Sequence, residues 1–272
     1  MLAAADIREG MTVCEIGTGT GYNAALLAQR LGSGNVTTIE VDPAIVAHAR
    51  DALCRVGHSP TVVLGDGAAG YPPNAPYDRV LATCAVYDVP YPWVEQTRPG
   101  GRIVTPWGTP YHNGGLLSLT VQRDGTASGG LVDTAAFMWL RAQRLPRISV
   151  RESVYDEADA RVTYTDLNPM TVIGDHDAAT AIGIRVPRCK HLHSPASDDS
   201  GEFTLWLLDQ TSRSWASVDY SPGGRAYEVN QIGPRSLWNE VENAYHWWGR
   251  LGRPSAGQWI FTITPRGQTI AL

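Results

Sequence analysis

Near the amino terminus, residues 13–22 read VCEIGTGTGY. This pattern predicts a short buried strand, a glycine-rich turn and the start of a helix. Glycine permits positive φ angles and lets the backbone approach a bound ligand closely. The stretch therefore predicts the first strand–turn–helix unit of an α/β sheet, with a ligand at the turn.

Two details of this turn distinguish between ligands. Its glycines follow the spacing G-x-G-x-G, whereas the dinucleotide fingerprint is G-x-G-x-x-G. Glu15 precedes the first glycine by two residues, and its carboxylate would repel a pyrophosphate but attract a cationic sulfonium ligand that carries an ammonium group. Both details favour S-adenosyl-L-methionine as the cofactor and leave a nicotinamide oxidoreductase as the weaker alternative.

Two further acids stand at the ends of predicted strands. Glu40 lies 23 residues after Gly17 (40 − 17), where a carboxylate can accept hydrogen bonds from both ribose hydroxyls. Asp66, followed by Gly67, ends the third strand and can accept a hydrogen bond from the adenine amino group. Because open parallel sheets bind ligands at the carboxyl ends of their strands, we expect these acids to contact adenosine. The alternative, that all three acids are strand-end residues in turns, stays open here.

The first half of the chain alternates strand-like and helix-like segments. Strands are predicted at 11–16, 36–41, 61–64, 79–84 and 102–105, and helices at 21–31 and 43–55. This rhythm is typical of a mostly parallel sheet with helices on both faces. Residues 1–142 are therefore predicted to form a Rossmann-like α/β domain.

A different pattern begins near Ala142. Residues 150–177 are polar and are predicted to form a linker. Strands are predicted at 184–186, 203–208, 215–220, 227–232, 258–264 and 268–272, and a helix at 234–250. The aromatic residues of that helix recur at helical spacing, which favours core packing over a peptide-binding face. Residues 143–272 are thus predicted to be a linker and a smaller α+β domain, with the boundary between Ala142 and Asp156.

The composition excludes several classes of protein. Hydrophobic residues make up 43% of the chain and charged residues 18%, as in soluble globular proteins, and no apolar run approaches the ~18–20 residues of a membrane helix. A net charge of −5 without a Lys/Arg cluster argues against nucleic-acid binding. The scattered cysteines and the absence of a signal-like start predict a cytoplasmic protein.

Three potential metal ligands follow the pattern Cys189-x-His191-x-His193. Alternate residues lie on one face of a strand, so these side chains could meet. A fourth ligand at standard spacing is lacking in the sequence, and we therefore predict a polar strand without a metal ion.

Five stretches of the chain resemble the protein-L-isoaspartate O-methyltransferase family. They read EIGTGTGYNAA at 15–25, TIE at 38–40, GDG at 65–67, APYD at 75–78 and PGGRIVTP at 99–106. Together they span about half of the chain in a specific order. The resemblance implies a Rossmann-like, S-adenosyl-L-methionine-dependent carboxyl O-methyltransferase that esterifies isoaspartyl or aspartyl side chains of a protein or peptide.

The resemblance also assigns roles to individual residues. It places Thr83 and Cys84, at the end of the fourth strand, near the methyl group and the substrate pocket. With the turn and the strand-end acids, the predicted cofactor-binding residues are Glu15, Gly17, Thr18, Gly19, Gly21, Tyr22, Glu40, Asp66, Gly67 and Thr83. A catalytic residue is not assigned, because a substrate carboxylate is ionised at neutral pH and needs no strong general base.

Two departures from the family pattern concern the substrate. Family members carry a long segment before the glycine turn that helps to hold the substrate carboxylate, whereas Met1 stands 16 residues before Gly17. We therefore expect cofactor binding with slow methylation of free isoaspartyl peptides, and a non-catalytic protein that binds the cofactor or a peptide stays open. The second departure is the C-terminal half, which is similar to extensions on bacterial members that methylate an aspartate of a modified precursor peptide.

Overall fold

The computed structural model describes residues 1–147 and 149–272 and divides into two compact units. The first unit comprises Met1–Trp107, Asn113–Arg144 and Gly257–Leu272. The second unit comprises Gly108–His112 and Leu145–Ala256. The chain therefore leaves the first unit twice and ends within it.

The helices and strands alternate from the amino terminus as far as β3 and follow a less regular order after it. Through residue 134 they are α1 (Leu2–Ala5), β1 (Val13–Ile16), α2 (Tyr22–Leu31), β2 (Val36–Glu40), α3 (Pro43–Arg55), β3 (Thr61–Leu64), β4 (Tyr77–Ala82), α4 (Tyr91–Glu95), β5 (Thr97–Gly108), β6 (Asn113–Val121) and β7 (Ala127–Thr134). They continue with α5 (Val150–Ser153), β8 (Arg161–Thr165), α6 (Pro169–Gly174), α7 (His176–Arg185), β9 (Lys190–Pro195), β10 (Phe203–Asp209), β11 (Ser214–Tyr220), β12 (Tyr227–Ile232), α8 (Leu237–Arg250), β13 (Ile260–Thr264) and β14 (Gly267–Ala271).

A nine-stranded sheet, counted over the described residues, forms the first unit. Its order is β14-β13-β7-β6-β5-β4-β1-β2-β3. The pairs β1–β2, β2–β3, β1–β4 and β4–β5 are parallel, whereas β6–β7, β7–β13 and β13–β14 are antiparallel. The predicted Rossmann-like parallel sheet is confirmed, and it continues into an antiparallel edge that the sequence pattern did not predict.

Local sequence explains why the first parallel strands and helices form. All four residues of β1 and all five of β2 are buried, as expected for central strands covered on both faces. Helix α3 begins at Pro43, and the Asp42 carboxylate accepts hydrogen bonds from the N–H groups of Ala44 and Ile45. An aspartate N-cap followed by proline is a strong helix start, which is why the predicted bounds of this helix match the structure.

The second unit is built on a five-stranded sheet in its described residues. The order β8-β12-β11-β10-β9 is antiparallel throughout. Its core includes Leu205, Val218, Val229 and Trp238, all buried, and α8 contributes its apolar face to the same cluster. The aromatic residues Trp238 and Trp248 of α8 are buried, so they pack in the core. The unit is α+β, as predicted.

The structure corrects two predictions in residues 150–186. Residues 150–177 are not a linker, because α5, β8, α6 and the start of α7 lie there. Strand β8 is an edge strand with four of five residues exposed, so it lacks the apolar alternation that sequence patterns detect. Residues 184–186 do not form a strand, because α7 extends to Arg185 after Asp175 caps its first N–H groups.

The last sixteen residues also depart from the predicted division. Residues 257–272 were predicted to belong to the C-terminal domain, but they form β13 and β14 in the first unit. Strand β13 pairs with β7, and Gln268 donates to the carbonyl of Tyr87 and accepts from the N–H of Val89. Pairing covers an edge that β7 would otherwise expose.

The described helices include none that is both long and apolar enough to cross a membrane.

The boundary between residues 142 and 156 is testable by limited trypsin digestion. Arg144, Arg147 and Arg151 are the expected first cleavage sites, and this range includes Ile148, which lies outside the described residues. The two fragments should stay together in native gel filtration, because β13 in the second fragment pairs with β7 in the first, and they should separate in urea. Earlier cleavage elsewhere, or separation without urea, would contradict this prediction.

Candidate functional site

The carboxyl ends of β1, β2, β3 and β4 meet at one edge of the first unit's sheet. After β3 the chain crosses to the other side of β1, so that β4 lies next to β1 in the order β4-β1-β2-β3. Such a reversal of strand order leaves a crevice at the carboxyl ends, where open α/β sheets bind their ligands.

A cleft of about 550 Å³ opens at this edge. Its volume lies in the range typical of small-molecule sites. Most of its lining is apolar, and its ionisable side chains include Glu40, Asp66 and Arg141. The lining residues are Ile16, Gly17, Gly19, Ile39, Glu40, Val41, Ile45, Asp66, Gly67, Thr83, Cys84, Ala136, Phe137, Met138, Trp139, Leu140 and Arg141.

The glycine turn lies against β2 and the end of β4. The N–H groups of Gly17 and Thr18 both donate to the carbonyl of Ile39, at 2.8 and 3.1 Å. Gly17 has φ of +91°, and an added Cβ would lie 2.7 Å from Thr83 Oγ1. Thr83 Oγ1 in turn donates to the Gly17 carbonyl at 2.5 Å. A side chain at position 17 would be strained and would collide with Thr83, so this turn requires glycine.

The Glu40 carboxylate is hydrogen-bonded directly to the backbone of the glycine turn. Its carboxylate accepts hydrogen bonds from the N–H of Gly19 at 3.0 Å through Oε2, and from the N–H groups of Val41 and Asp42 through Oε1. The side chain is 9% exposed and lines the cleft. It is therefore held at the cleft by the backbone on both sides, in a position where further hydroxyl donors can reach its remaining lone pairs.

Asp66 and Gly67 form the neighbouring wall of the cleft. Asp66 is exposed, and its Oδ1 accepts a hydrogen bond from the N–H of Ala68 at 3.0 Å. Gly67 is buried, and an added Cβ would lie 2.4 Å from Ile16 Cγ2. The buried Trp93 indole N–H donates to the Gly67 carbonyl at 2.8 Å. Close packing against β1 thus explains the glycine at position 67.

Glu15 does not reach the cleft. It is fully buried, where Oε1 accepts from Asn23 Nδ2 at 2.7 Å and Oε2 accepts from Thr38 Oγ1 at 2.5 Å. Thr38 Oγ1 lies 2.7 Å from Thr18 Oγ1, which extends the chain of hydrogen bonds into the turn. The prediction that the Glu15 carboxylate attracts the ligand directly is therefore replaced by a role in holding the turn.

Burial sets the protonation of Glu15. Removal from water raises the pKa of this carboxyl, hydrogen bonds from Thr38 and Asn23 lower it, and the charge of Glu40 raises it, with a net value of about 7. Both forms can keep the chain of hydrogen bonds, because the hydroxyls of Thr38 and Thr18 can each donate or accept.

The other predicted site residues divide into two groups. Gly17, Gly19, Glu40, Asp66, Gly67 and Thr83 line the cleft. Thr18, Gly21 and Tyr22 are not among its lining residues. Thr18 is buried beside Thr38, Gly21 is the N-cap of α2 with φ of +82°, and the Tyr22 side chain is 71% exposed. The latter group shapes the turn or faces solvent.

A segment that the sequence analysis did not assign to the site forms the other side of the cleft. Residues 136–141 line it, and together with Ala142 and Gln143 they are termed the rim segment. The Ala85 N–H donates to the Met138 carbonyl, and the Leu140 N–H donates to the Ala85 carbonyl, both at 2.8 Å. In the sequence this segment is marked by the apolar run FMWL at 137–140. Its hydrogen bonds to Ala85, which follows β4, join segments that are distant in the sequence, and a local sequence pattern does not predict such contacts.

Cys84 follows Thr83 in the cleft wall. It is 8% exposed, and burial, with the charges of Glu40 and Asp66, raises the pKa of its thiol to about 12. The thiol is therefore protonated at neutral pH and is a poor nucleophile.

The Cys189, His191 and His193 side chains do not form a metal centre. Cys189 is fully buried next to β9, whereas His193 is exposed on that strand. Over the ranges 1–147 and 149–272, three or more His, Cys, Asp or Glu side chains are nowhere grouped as metal ligands.

Comparison with known proteins places the first unit in context. The family model described as Protein-L-isoaspartate(D-aspartate) O-methyltransferase matches residues 1–144. A protein-L-isoaspartate O-methyltransferase of Pyrococcus horikoshii is 42% identical over 127 residues, which cover 46% of this chain and 57% of the relative. One of Thermococcus onnurineus is 46% identical over 114 residues, which cover 41% and 51%. The chain thus spans little more than half the length of these relatives.

A solved structure shows the same fold. The chain of a protein-L-isoaspartate O-methyltransferase superposes with a TM-score of 0.55 at 20% identity, covering 99% of this chain and 78% of that one. At this identity the likeness concerns the fold alone.

Replacing Glu15 with glutamine should change how stability depends on pH. The folded-state pKa of about 7 exceeds the ordinary 4.5, so the stability from this group is fully present below about pH 4.5 and is lost as pH rises through about 7. The shift from 4.5 to about 7 corresponds to roughly 3.5 kcal/mol in all, at ~1.4 kcal/mol per pKa unit, of which about 2–3 kcal/mol is lost between pH 5 and pH 8. Glutamine resembles the protonated form, so Glu15→Gln should gain about this much relative to the unmodified protein between about pH 5 and pH 8.

Urea denaturation at both pH values measures this difference. Glu9→Gln is the matched control, because Glu9 is an exposed carboxylate of the same unit. If Glu15→Gln and Glu9→Gln show the same pH dependence, the ionisation of Glu15 does not contribute as described.

Proposed function

Because the chain belongs to the protein-L-isoaspartate O-methyltransferase family, we propose that its first unit binds S-adenosyl-L-methionine and methylates a carboxylate of a protein or peptide. The substrate group is an isoaspartyl or aspartyl side chain. The observation that carries this proposal is the cleft at the carboxyl ends of β1 to β4, where the family's glycine turn and strand-end acids come together.

The residues of the cleft fit this cofactor. Gly19 lines the cleft with φ of +54°, and a Cβ added there would meet no protein atom within 4 Å, so without one the backbone can approach a ligand closely. Glu40 presents a carboxylate to accept hydrogen bonds from ribose hydroxyls, and Asp66 presents one for the adenine amino group. Ile39, Ile45 and Leu140 supply apolar surface, as ligand pockets for a flat ring system generally do.

When bound, the cofactor supplies an electrophilic methyl group on a sulfonium. The chain's own residues then orient the partners and exclude water. Thr83 and Cys84 form the wall near the transferred group in this proposal, and the rim segment covers the opposite side. Alignment of two reactants can contribute up to ~7–11 kcal/mol to a rate, and desolvation makes a carboxylate more reactive.

A dedicated general base is unnecessary in this reaction. The substrate carboxylate is ionised at neutral pH and attacks as it stands. The residues nearest the proposed reaction centre are accordingly a hydroxyl and a protonated thiol, Thr83 and Cys84, rather than a histidine or lysine.

The cysteines and the net charge bear on where the protein acts. We propose a cytoplasmic enzyme that modifies proteins or peptides and does not act on nucleic acids or membranes. The four cysteines are free, which suits a reducing compartment, and the net charge of −5 disfavours binding to nucleic-acid phosphates.

Methyl transfer to defined peptides tests the activity. An isoaspartyl peptide, an aspartyl peptide of the same sequence and an asparaginyl control should be incubated with the cofactor, and mass spectrometry should locate a methyl ester on the isoaspartyl or the aspartyl carboxylate only. Binding of S-adenosylhomocysteine without an ester on either peptide would contradict the proposal and favour a non-catalytic binding protein.

Substitution of Glu40 tests the cofactor site. Glu40→Ala should weaken binding of S-adenosylhomocysteine by about 1.5–3 kcal/mol, because hydrogen bonds to a charged group are lost, and Glu40→Gln should lose less because one acceptor oxygen remains. Calorimetry measures both, with exposed Glu9→Ala as the control. Unchanged affinity in Glu40→Ala, or binding of NAD in place of the sulfur nucleoside, would overturn this assignment.

A further inference from the structure

Arg141 is the basic residue among the described side chains that line the cleft. The acids that share this lining are Glu40 and Asp66. Without Arg141 the lining would carry two negative charges and no positive one. The two carboxylates would then repel an anionic substrate as it enters. This repulsion is stronger in a partly desolvated cleft than in bulk water.

The backbone beneath Arg141 is fixed from both sides. Before it, the carbonyl of Met138 and the N–H of Leu140 pair with Ala85. After it, Gln143 Oε1 accepts from the N–H of Tyr87 at 2.9 Å, and Gln143 Nε2 donates to the Asp88 carbonyl at 2.6 Å. The rim segment therefore presents Arg141 from a rigid support, which lowers the entropic cost of binding.

The guanidinium remains accessible. Its side chain is 60% exposed, and the nearest ion-pair partner is Asp42 Oδ2 at 3.9 Å, a distance longer than a hydrogen bond. Asp42 itself caps α3 through its other oxygen, which accepts from the N–H groups of Ala44 and Ile45. The Arg141–Asp42 pair is thus loose, and the planar fork of the guanidinium can still receive a carboxylate in a bidentate manner.

We infer that Arg141 binds a carboxylate of the peptide substrate at the rim of the cleft and so gives the site its preference for anionic peptides. This inference rests on the proposed function, since it names the group that meets the substrate of the same site. The carboxylate is either the isoaspartyl group that reacts or an acidic residue beside it in the peptide.

Peptide affinity, measured by calorimetry on the protein saturated with S-adenosylhomocysteine, tests the inference without relying on turnover. Two amidated peptides are used, one whose sole carboxylate is the isoaspartyl group and one with an additional glutamate beside it. Arg141→Gln should weaken binding about tenfold at low salt, and Arg141→Lys should weaken it less because the charge remains. The difference should vanish near 1 M NaCl, where the Debye length is ~3 Å.

Two variants separate binding from a structural role. Arg144→Gln removes an exposed arginine that is not among the cleft-lining residues, and Asp42→Asn breaks the ion pair but keeps a capping side chain. Both should retain the affinity of the unmodified protein, and all variants should retain the affinity for S-adenosylhomocysteine. A loss with both peptides identifies the reacting carboxylate as the partner of Arg141, and a loss with the glutamate peptide alone identifies the neighbouring acid.

Other outcomes of these measurements would contradict the inference or the proposed function. Equal peptide affinity in Arg141→Gln and the unmodified protein overturns the inference, as does an equal loss in Asp42→Asn or a loss that high salt leaves unchanged. Peptide binding that depends on Arg141 but yields no methyl ester contradicts the proposed function and leaves the role of Arg141 supported. Failure of the unmodified protein to bind either peptide overturns both.

Discussion

A buried carboxylate ties together the elements from which the cleft is built. Glu15 in β1 accepts hydrogen bonds from Asn23 in α2 and Thr38 in β2, and Thr38 continues to Thr18 in the turn. A carboxylate so far from water is tolerated only when donors satisfy it. The strand, the helix and the turn must therefore keep the mutual positions that provide these donors, and those positions place Gly17 and Glu40 at the edge of the sheet.

Sequence reasoning was accurate where local signals determine the structure. The bounds of α3, β3 and β12 were predicted correctly, because proline, an aspartate N-cap or flanking turn residues define their ends. The polar edge strand β8 was missed because its exposed face carries no apolar alternation. The return of residues 260–271 to the first sheet was also missed, because pairing between β13 and β7 joins segments more than a hundred residues apart, and local pattern does not encode such a contact.

The same distinction holds for the site. The position of Glu40, Asp66 and Gly67 at one cleft could be predicted from sequence, because parallel strands bring their carboxyl ends to one edge. Their role toward a cofactor stays a prediction. For Glu15 the sequence indicates an acid near the turn but not the direction of its side chain, and the direction decides between binding a ligand and supporting the turn. The rim segment is held at the cleft by hydrogen bonds to Ala85, Tyr87 and Asp88, which are contacts between segments distant in the sequence.

A site that handles an electrophilic methyl group must also keep its own nucleophiles from reacting. The thiol of Cys84 lines the cleft, but burial and the charges of Glu40 and Asp66 raise its pKa to about 12, so the reactive thiolate is scarce. Glu40 has both oxygens engaged by backbone N–H groups, and such hydrogen bonds lower the reactivity of a carboxylate by stabilising its charge. In the proposed reaction an incoming substrate carboxylate, stripped of water and not yet bonded in this way, is therefore the nucleophile best able to attack. Burial and the two acids proposed to hold the cofactor thus act together to keep the neighbouring thiol protonated, and in this proposal selectivity for the substrate follows partly from the charges that form the binding site.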